Sequence, residues 1–265
     1  MVELYQFALF YYNCLYINTN ATFCKRLLNK IDEVNLGKNI LIVGAGEGLS
    51  FSLAKIFYRE GMKVSLASRN IDKLKQITSE IDANLYKCDA SEIKDVESLF
   101  HELDKTTGTP NLVIYNPSAR VRGPVGNLDP IYVKQALDIT CFGAFLVAQA
   151  ATKRMLKAGK GSIFFTGATA GVKGFANSSV FAMGKFGLRG LAQSLARELH
   201  PQNIHIGHFI IDGGIARSKS FGDNGNSRNN MLDPDEIAKT YLSFYNQDKS
   251  AWSWEIEVRP WVEKF

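Results

Sequence analysis

The run Gly44-Ala45-Gly46-Glu47-Gly48-Leu49-Ser50 is the first place in this sequence where residue type and spacing suggest chemistry. It follows the apolar stretch Asn39–Val43 and opens a helical pattern. Such a turn points backbone N–H groups at a helix N-terminus toward a pyrophosphate, and its glycines permit close approach. Gly44, Gly46, Gly48, Leu49 and Ser50 are therefore candidate cofactor-binding residues. Glycine-rich turns also serve only to reverse a chain, and the spacing departs from GxGxxG because position 49 is Leu. After the next apolar stretch, Ala67-Ser68-Arg69-Asn70 offers a cation where an NAD-preferring protein usually places an acid. Arg69 would pair with a 2′-phosphate, while Glu47 opposes that if it faces the same way. The balance favours NADP, with NAD as the alternative.

Positioning these residues takes a scaffold, and the chain supplies alternating strands and helices. Strands are expected at Asn39–Val43, Lys63–Ala67, Asn84–Lys87, Asn111–Tyr115, Ser162–Thr166, Ile204–Ile211 and Trp254–Val258. Helical patterns lie at Leu49–Glu60, Ile71–Ile81, around Ile93–Lys105, and over Ile131–Lys157. Strands separated by helices of this length imply βαβ units and a parallel sheet covered on both faces, an α/β protein. The expected division is a single domain over 37–265, preceded by an N-terminal extension over 1–36. That extension is apolar and aromatic, yet it lacks the basic start and cleavage site of a signal peptide. It is also short for a membrane span, so no membrane partner is expected, with an interfacial helix as the alternative.

Composition narrows the function classes. Of the 265 residues, 46% are hydrophobic, which excludes a disordered chain. The net charge of +5 comes without a basic patch interleaved with aromatics, so no nucleic-acid partner is expected. Cys14, Cys24, Cys88 and Cys141 are scattered. They form no metal-ligand spacing, and no metal is expected; a reducing, cytoplasmic location is the simpler reading.

Beyond the glycine turn, several segments carry a family likeness: Cys88-Asp89, Ile114-Tyr115-Asn116-Pro117, Ala136–Gly143, Gly161-Ser162-Ile163 through Ala170-Gly171, and Lys185 followed by Phe186-Gly187-Leu188. With them the chain resembles the short-chain dehydrogenase/reductase family over about residues 37–265. The resemblance implies a Rossmann-type, doubly wound, seven-stranded sheet that transfers hydride between NAD(P) and a carbonyl or alcohol, a small-molecule substrate. It places Asp89 near the adenine edge, and Asn116, Gly213 and Ile215 at the cofactor. It also implies a homodimer or homotetramer formed through the two long helices, near 131–157 and 180–199.

The same resemblance implies a catalytic Tyr, a Lys four residues later, a Ser and an Asn. Here Phe181 stands at the Tyr position, Ala168 at the Ser position and Thr140 at the Asn position, and only Lys185 survives. Phenylalanine carries no ionisable proton, so general acid catalysis is impossible there. The spacing Tyr245 to Lys249 lies beyond the sixth strand and is read as coincidence. An atypical branch lacking the usual tyrosine is the expectation. Its proton would come from Thr169, from Lys185 itself, from Asp212 in Ile211-Asp212-Gly213-Gly214, or from an ordered water. An acidic side chain donates only if burial raises its pKa, and Asp212 is otherwise a loop-stabilising residue. Two function classes follow: an oxidoreductase with a non-standard proton donor, or an inactive NAD(P)-binding sensor or assembly protein. Arg120, Arg122, Arg217 and Lys219 lie in the loops 118–130 and 215–233 that flank the substrate end. They attract an anion unless they are simply solvated.

Overall fold

The computed structural model describes residues 37–216 and 230–263. The N-terminal extension 1–36 with Cys14 and Cys24, and the loop cations Arg217 and Lys219, lie outside the described residues.

The apolar runs become strands: β1 (Asn39–Val43), β2 (Lys63–Ser68), β3 (Ala83–Lys87), β4 (Leu112–Tyr115), β5 (Gly161–Thr166), β6 (Ile204–Ile211), β7 (Gly214–Ile215), β8 (Met231–Leu232) and β9 (Glu255–Val258). Seven of them form one parallel sheet in the order β3-β2-β1-β4-β5-β6-β9. The expected strands recur within one residue at each end. The small parallel ribbon β7–β8 has no counterpart among them, because two residues per strand leave no period to read. Every residue of β1, β4 and β6 is buried, as a sheet covered on both faces requires.

Between the strands run α1 (Leu49–Arg59), α2 (Ile71–Ile77), α3 (Ile93–Thr106), α4 (Pro130–Ala158), α5 (Ser179–Leu199) and α6 (Pro234–Tyr245). Side chains alternate across the sheet. Ile40, Ile42, Leu112 and Ile114 meet Leu53 and Phe57 of α1 and Tyr241 of α6. Leu41, Val43, Val113 and Tyr115 meet Leu99 of α3, Val147 of α4 and Leu188 of α5. The doubly wound sandwich is thus complete in one compact unit. The outer faces of α4 and α5 leave Phe142, Phe145, Met183 and Phe186 exposed, with Phe142 stacked on Phe145.

Two helices differ from expectation. The helix expected over 71–81 ends at Ile77, because the Thr78 hydroxyl takes the Leu74 carbonyl and Ile81 turns inward toward β3. The α-helix expected over 131–157 is interrupted by a π turn at Asp138–Phe142, where the Gly143 N–H reaches the Asp138 carbonyl. Two demands account for the extra residue. The Tyr115 hydroxyl donates to the Ile139 carbonyl at 2.5 Å, and Gly143 packs so tightly that a Cβ would stand 2.5 Å from the Ala90 carbonyl. A widened turn lets one helix meet both constraints.

Opposite outcomes are expected for two glycines. Gly143→Ala forces a methyl against the Ala90 backbone and should lower stability by about 1–3 kcal/mol. Gly190→Ala, at an exposed position of α5 where an added methyl would meet nothing within 4 Å, should raise it by about 0.5–1 kcal/mol. Urea denaturation of the two variants checks both signs.

Candidate active site

The sheet order reverses between β1 and β4, and a crevice outside the carboxyl ends of those strands is where open α/β sheets bind ligands. One hydrogen-bonded chain holds the two strand ends together. The Asn116 amide donates to the Ser50 hydroxyl at 2.7 Å, and that hydroxyl donates to the Gly44 carbonyl at 3.1 Å. Gly44 has φ +77°, and a Cβ there would lie 2.6 Å from the Pro117 ring, so only glycine fits. A Cβ on Gly46 would have nothing within 4 Å, so the turn faces open space there. Gly48 caps α1 with φ +87°, and no side chain bonds to the helix start. The first amides of α1 are therefore left for a ligand. Leu49 and Ser50 are both buried. Their side chains shape the turn rather than line it as polar groups.

Three adjoining cavities run along this edge. The first, about 300 Å³, includes Gly44, Arg69, Asp89 and Asn116 in its lining. Asp89 already accepts from the Ser91 N–H at 3.0 Å and from the Ser91 hydroxyl at 2.6 Å. Arg69 is exposed and makes no ion pair among the described residues. Glu47 lines the second cavity and not the first, so it does not share a wall with Arg69.

The second cavity, about 420 Å³, brings together Ala168, Phe181, Lys185, Gly213 and Ile215. Phe181 and Lys185 are one helical turn apart on α5 and share its inner face. Lys185 is only 2% exposed, and its ammonium donates to the Thr166 carbonyl at 2.6 Å. Burial first, and the nearby Arg120 charge second, push its pKa down to about 7. The Phe181 ring has two basic groups near it, with Arg120 at 4.1 Å and Lys185 Nζ at 5.9 Å from its centroid. Behind them, His208 is fully buried, with Nδ1 2.9 Å from Glu255, and Arg189 grips the same carboxylate.

Two candidates sit apart from the cavity lining. The Thr140 hydroxyl accepts from the Ala119 N–H at 3.0 Å, and its methyl packs against Gly184, so it anchors the loop carrying Arg120. Asp212 is buried and lines none of the three cavities, while its neighbours Ile211 and Gly213 line two of them. It accepts from the Thr169 hydroxyl at 2.5 Å and pairs with Arg259 at 3.3 Å. Asp212, expected as a proton donor, is thus found with its carboxylate on the Thr169 hydroxyl and the Arg259 guanidinium. The Arg120–Phe181 contact and the Arg189–Glu255–His208 chain leave no trace in the sequence, since the partners are far apart along the chain and follow no shared spacing.

Residues 38–220 match the short chain dehydrogenase family. An uncharacterized oxidoreductase of Staphylococcus aureus is 25% identical over 226 residues, covering 84% of this chain and 97% of that protein. The crystal structure of a short-chain dehydrogenase from Rhodopseudomonas palustris is 32% identical, with a TM-score of 0.75, covering 85% of this chain and 99% of that one. A metagenomic short-chain oxidoreductase solved in complex with NADP shares the fold at 21% identity and a TM-score of 0.73, covering 85% of this chain and 98% of its own.

The buried amine has a consequence for stability. In the unfolded chain Lys185 holds its proton up to its ordinary pKa of 10.5, whereas the folded protein releases it near 7. Above pH 7 the unfolded state binds more protons, so the penalty of burying Lys185 shrinks as pH rises. Urea denaturation at pH 7 and pH 9 should show wild type gaining about 2 kcal/mol relative to Lys185→Met. An equal pH response in both proteins would contradict a depressed lysine.

Proposed function

The chain belongs to the short-chain dehydrogenase family, and from that premise we propose an NAD(P)-dependent oxidoreductase of an atypical branch, acting on a carbonyl or alcohol. The observation that carries this reading is a fully buried lysine of near-neutral proton affinity beside a glycine turn built for a dinucleotide. The residues fit such a cofactor. Gly46 faces open space, the N-terminus of α1 is uncapped, and Asn116 ties the turn to β4. Gly44, Gly46, Gly48 and the amides of Leu49 and Ser50 would hold the pyrophosphate. Asp89 would lie by the adenine, and Gly213 and Ile215 by the nicotinamide. Arg69 would take a 2′-phosphate, which favours NADP. When bound, the cofactor supplies or accepts the hydride.

In this reading Lys185 supplies the proton that tyrosine gives elsewhere. An amine titrating near 7 is half charged at neutral pH, the condition in which one group both gives and regains a proton. The Lys185 ammonium would hydrogen-bond the substrate oxygen and release its proton as negative charge grows there. Phe181 would keep water from the amine and hold Arg120 over the cleft. Asp212, held by Arg259, would orient the Thr169 hydroxyl rather than give a proton. A second reading, a nucleotide-binding sensor without turnover, is favoured by one observation: Ala168 and Phe181 put apolar groups where the family acid and its helper stand.

Nucleotide titration followed by assays on a carbonyl panel separates the readings. NADPH should bind about tenfold tighter than NADH, with the order inverted in Arg69→Glu. For carbonyl reduction, kcat/KM should fall about tenfold per pH unit above roughly 7, and Lys185→Met should lose about 10²–10⁴-fold in kcat. Nucleotide binding without turnover would leave the sensor standing. Unchanged turnover in Lys185→Met would remove the lysine from the chemistry.

A further inference from the structure

The third cavity, about 420 Å³, adjoins the second and shares Arg120, Ala168 and Phe181 with it. Among the described residues, its lining contains two arginines, Arg120 and Arg122, and no Asp or Glu. Neither arginine forms an ion pair among the described residues. The two are close enough that the Arg122 charge, after burial, lowers the Arg120 pKa. Two like charges facing one cavity without an acid repel each other, and a bound anion would relieve that repulsion.

The loop carrying these exposed arginines is anchored, and Arg120 has a side-chain contact that orients it. Arg120 stands 4.1 Å from the Phe181 ring centroid, which fixes its direction. The preceding Ala119 N–H is bonded to Thr140, and the Gly123 N–H to the Asn177 carbonyl at 3.0 Å. Asn177 adopts φ +59°, a left-handed conformation that Asn tolerates, to make that bond. The loop carrying both arginines is thus pinned to α4 at one end and to the segment before α5 at the other. Preorganised charges lose less freedom on binding than mobile ones.

We propose that this cavity receives the anionic end of the substrate, a carboxylate or phosphate on a small carbonyl compound, and that Arg120 and Arg122 select for it. The proposal rests on the reading of the second cavity as the hydride-transfer site. The reacting carbonyl would lie toward Lys185 and the anion toward Arg122, with Arg120 spanning both cavities. A guanidinium binds either anion through paired charge-assisted hydrogen bonds, so the probes must tell the two apart.

Calorimetry with matched pairs makes the test. Straight-chain 2-, 3- and 4-oxo acids are compared with their methyl esters, and dihydroxyacetone phosphate with dihydroxyacetone, each with and without saturating NADPH. At least one acid or the phosphate should bind about tenfold or more tightly than its neutral partner. Arg122→Gln and Arg120→Met should each cut that preference about tenfold, and added salt should weaken it in wild type. The larger ratio, acid over ester or phosphate ester over free dihydroxyacetone, identifies the anion. Equal affinity within every pair, or no binding by any anion, would overturn the proposal. The NADPH titration in the same cell separates the failures: bound nucleotide without anion preference sinks only this inference, and unbound nucleotide sinks the dehydrogenase reading as well.

Discussion

Burying an ammonium group is costly unless its surroundings compensate, and the cleft end of this protein is arranged around one such group. Lys185 is 2% exposed and holds a single described hydrogen bond, to the Thr166 carbonyl at the end of β5. Bringing α5 close enough for that bond takes small residues at the contact. Gly184 lets α5 lie against Thr140 of α4, and Gly171 admits the Lys185 backbone, whose carbonyl would stand 3.1 Å from a Cβ there. Arg120 adds a second positive charge nearby, so the lysine is pressed toward neutrality from two sides. The burial that lowers the proton affinity of the amine is thus also what makes it costly to the fold.

The rest of the cleft follows from topology. Reversal of strand order between β1 and β4 opens the crevice, and the Asn116–Ser50–Gly44 bonds fix its floor. The glycine turn, open at Gly46, lies on one side of that floor. Lys185, Phe181 and Arg120 line the second cavity, and Arg122 lines the third. Asp212 pairs with Arg259 just past the end of β9, and Lys185 lines the second cavity.

The strands were legible because burial on both faces demands continuous apolar runs, as in Asn39–Val43 and Ile204–Ile211. The helices were legible where an apolar stripe repeats, as at Val96, Leu99, Phe100 and Leu103 of α3. The π turn at Asp138–Phe142 was not, because it answers contacts from Tyr115 and Ala90 that lie outside the helix. The glycine turn at Gly44, Gly46 and Gly48 could be picked out from local spacing, and Lys185 only through the family resemblance. Side-chain direction could not: Asp212 sits in the expected loop and pairs with Arg259, and the exposed Arg120 lies over the Phe181 ring. Pairings between distant segments carry no spacing signal, and the chemistry here depends on several of them.

The state of the Lys185 amine can be observed without substrate or turnover. Lysine labelled with ¹³C at Cε, titrated by NMR and assigned through the missing signal of Lys185→Met, reads its pKa in the folded protein. A midpoint near 7, well below the remaining lysines, is the result expected of an amine pressed by burial and by Arg120. A midpoint at the ordinary lysine value near 10.5 would contradict it and remove the proposed proton donor.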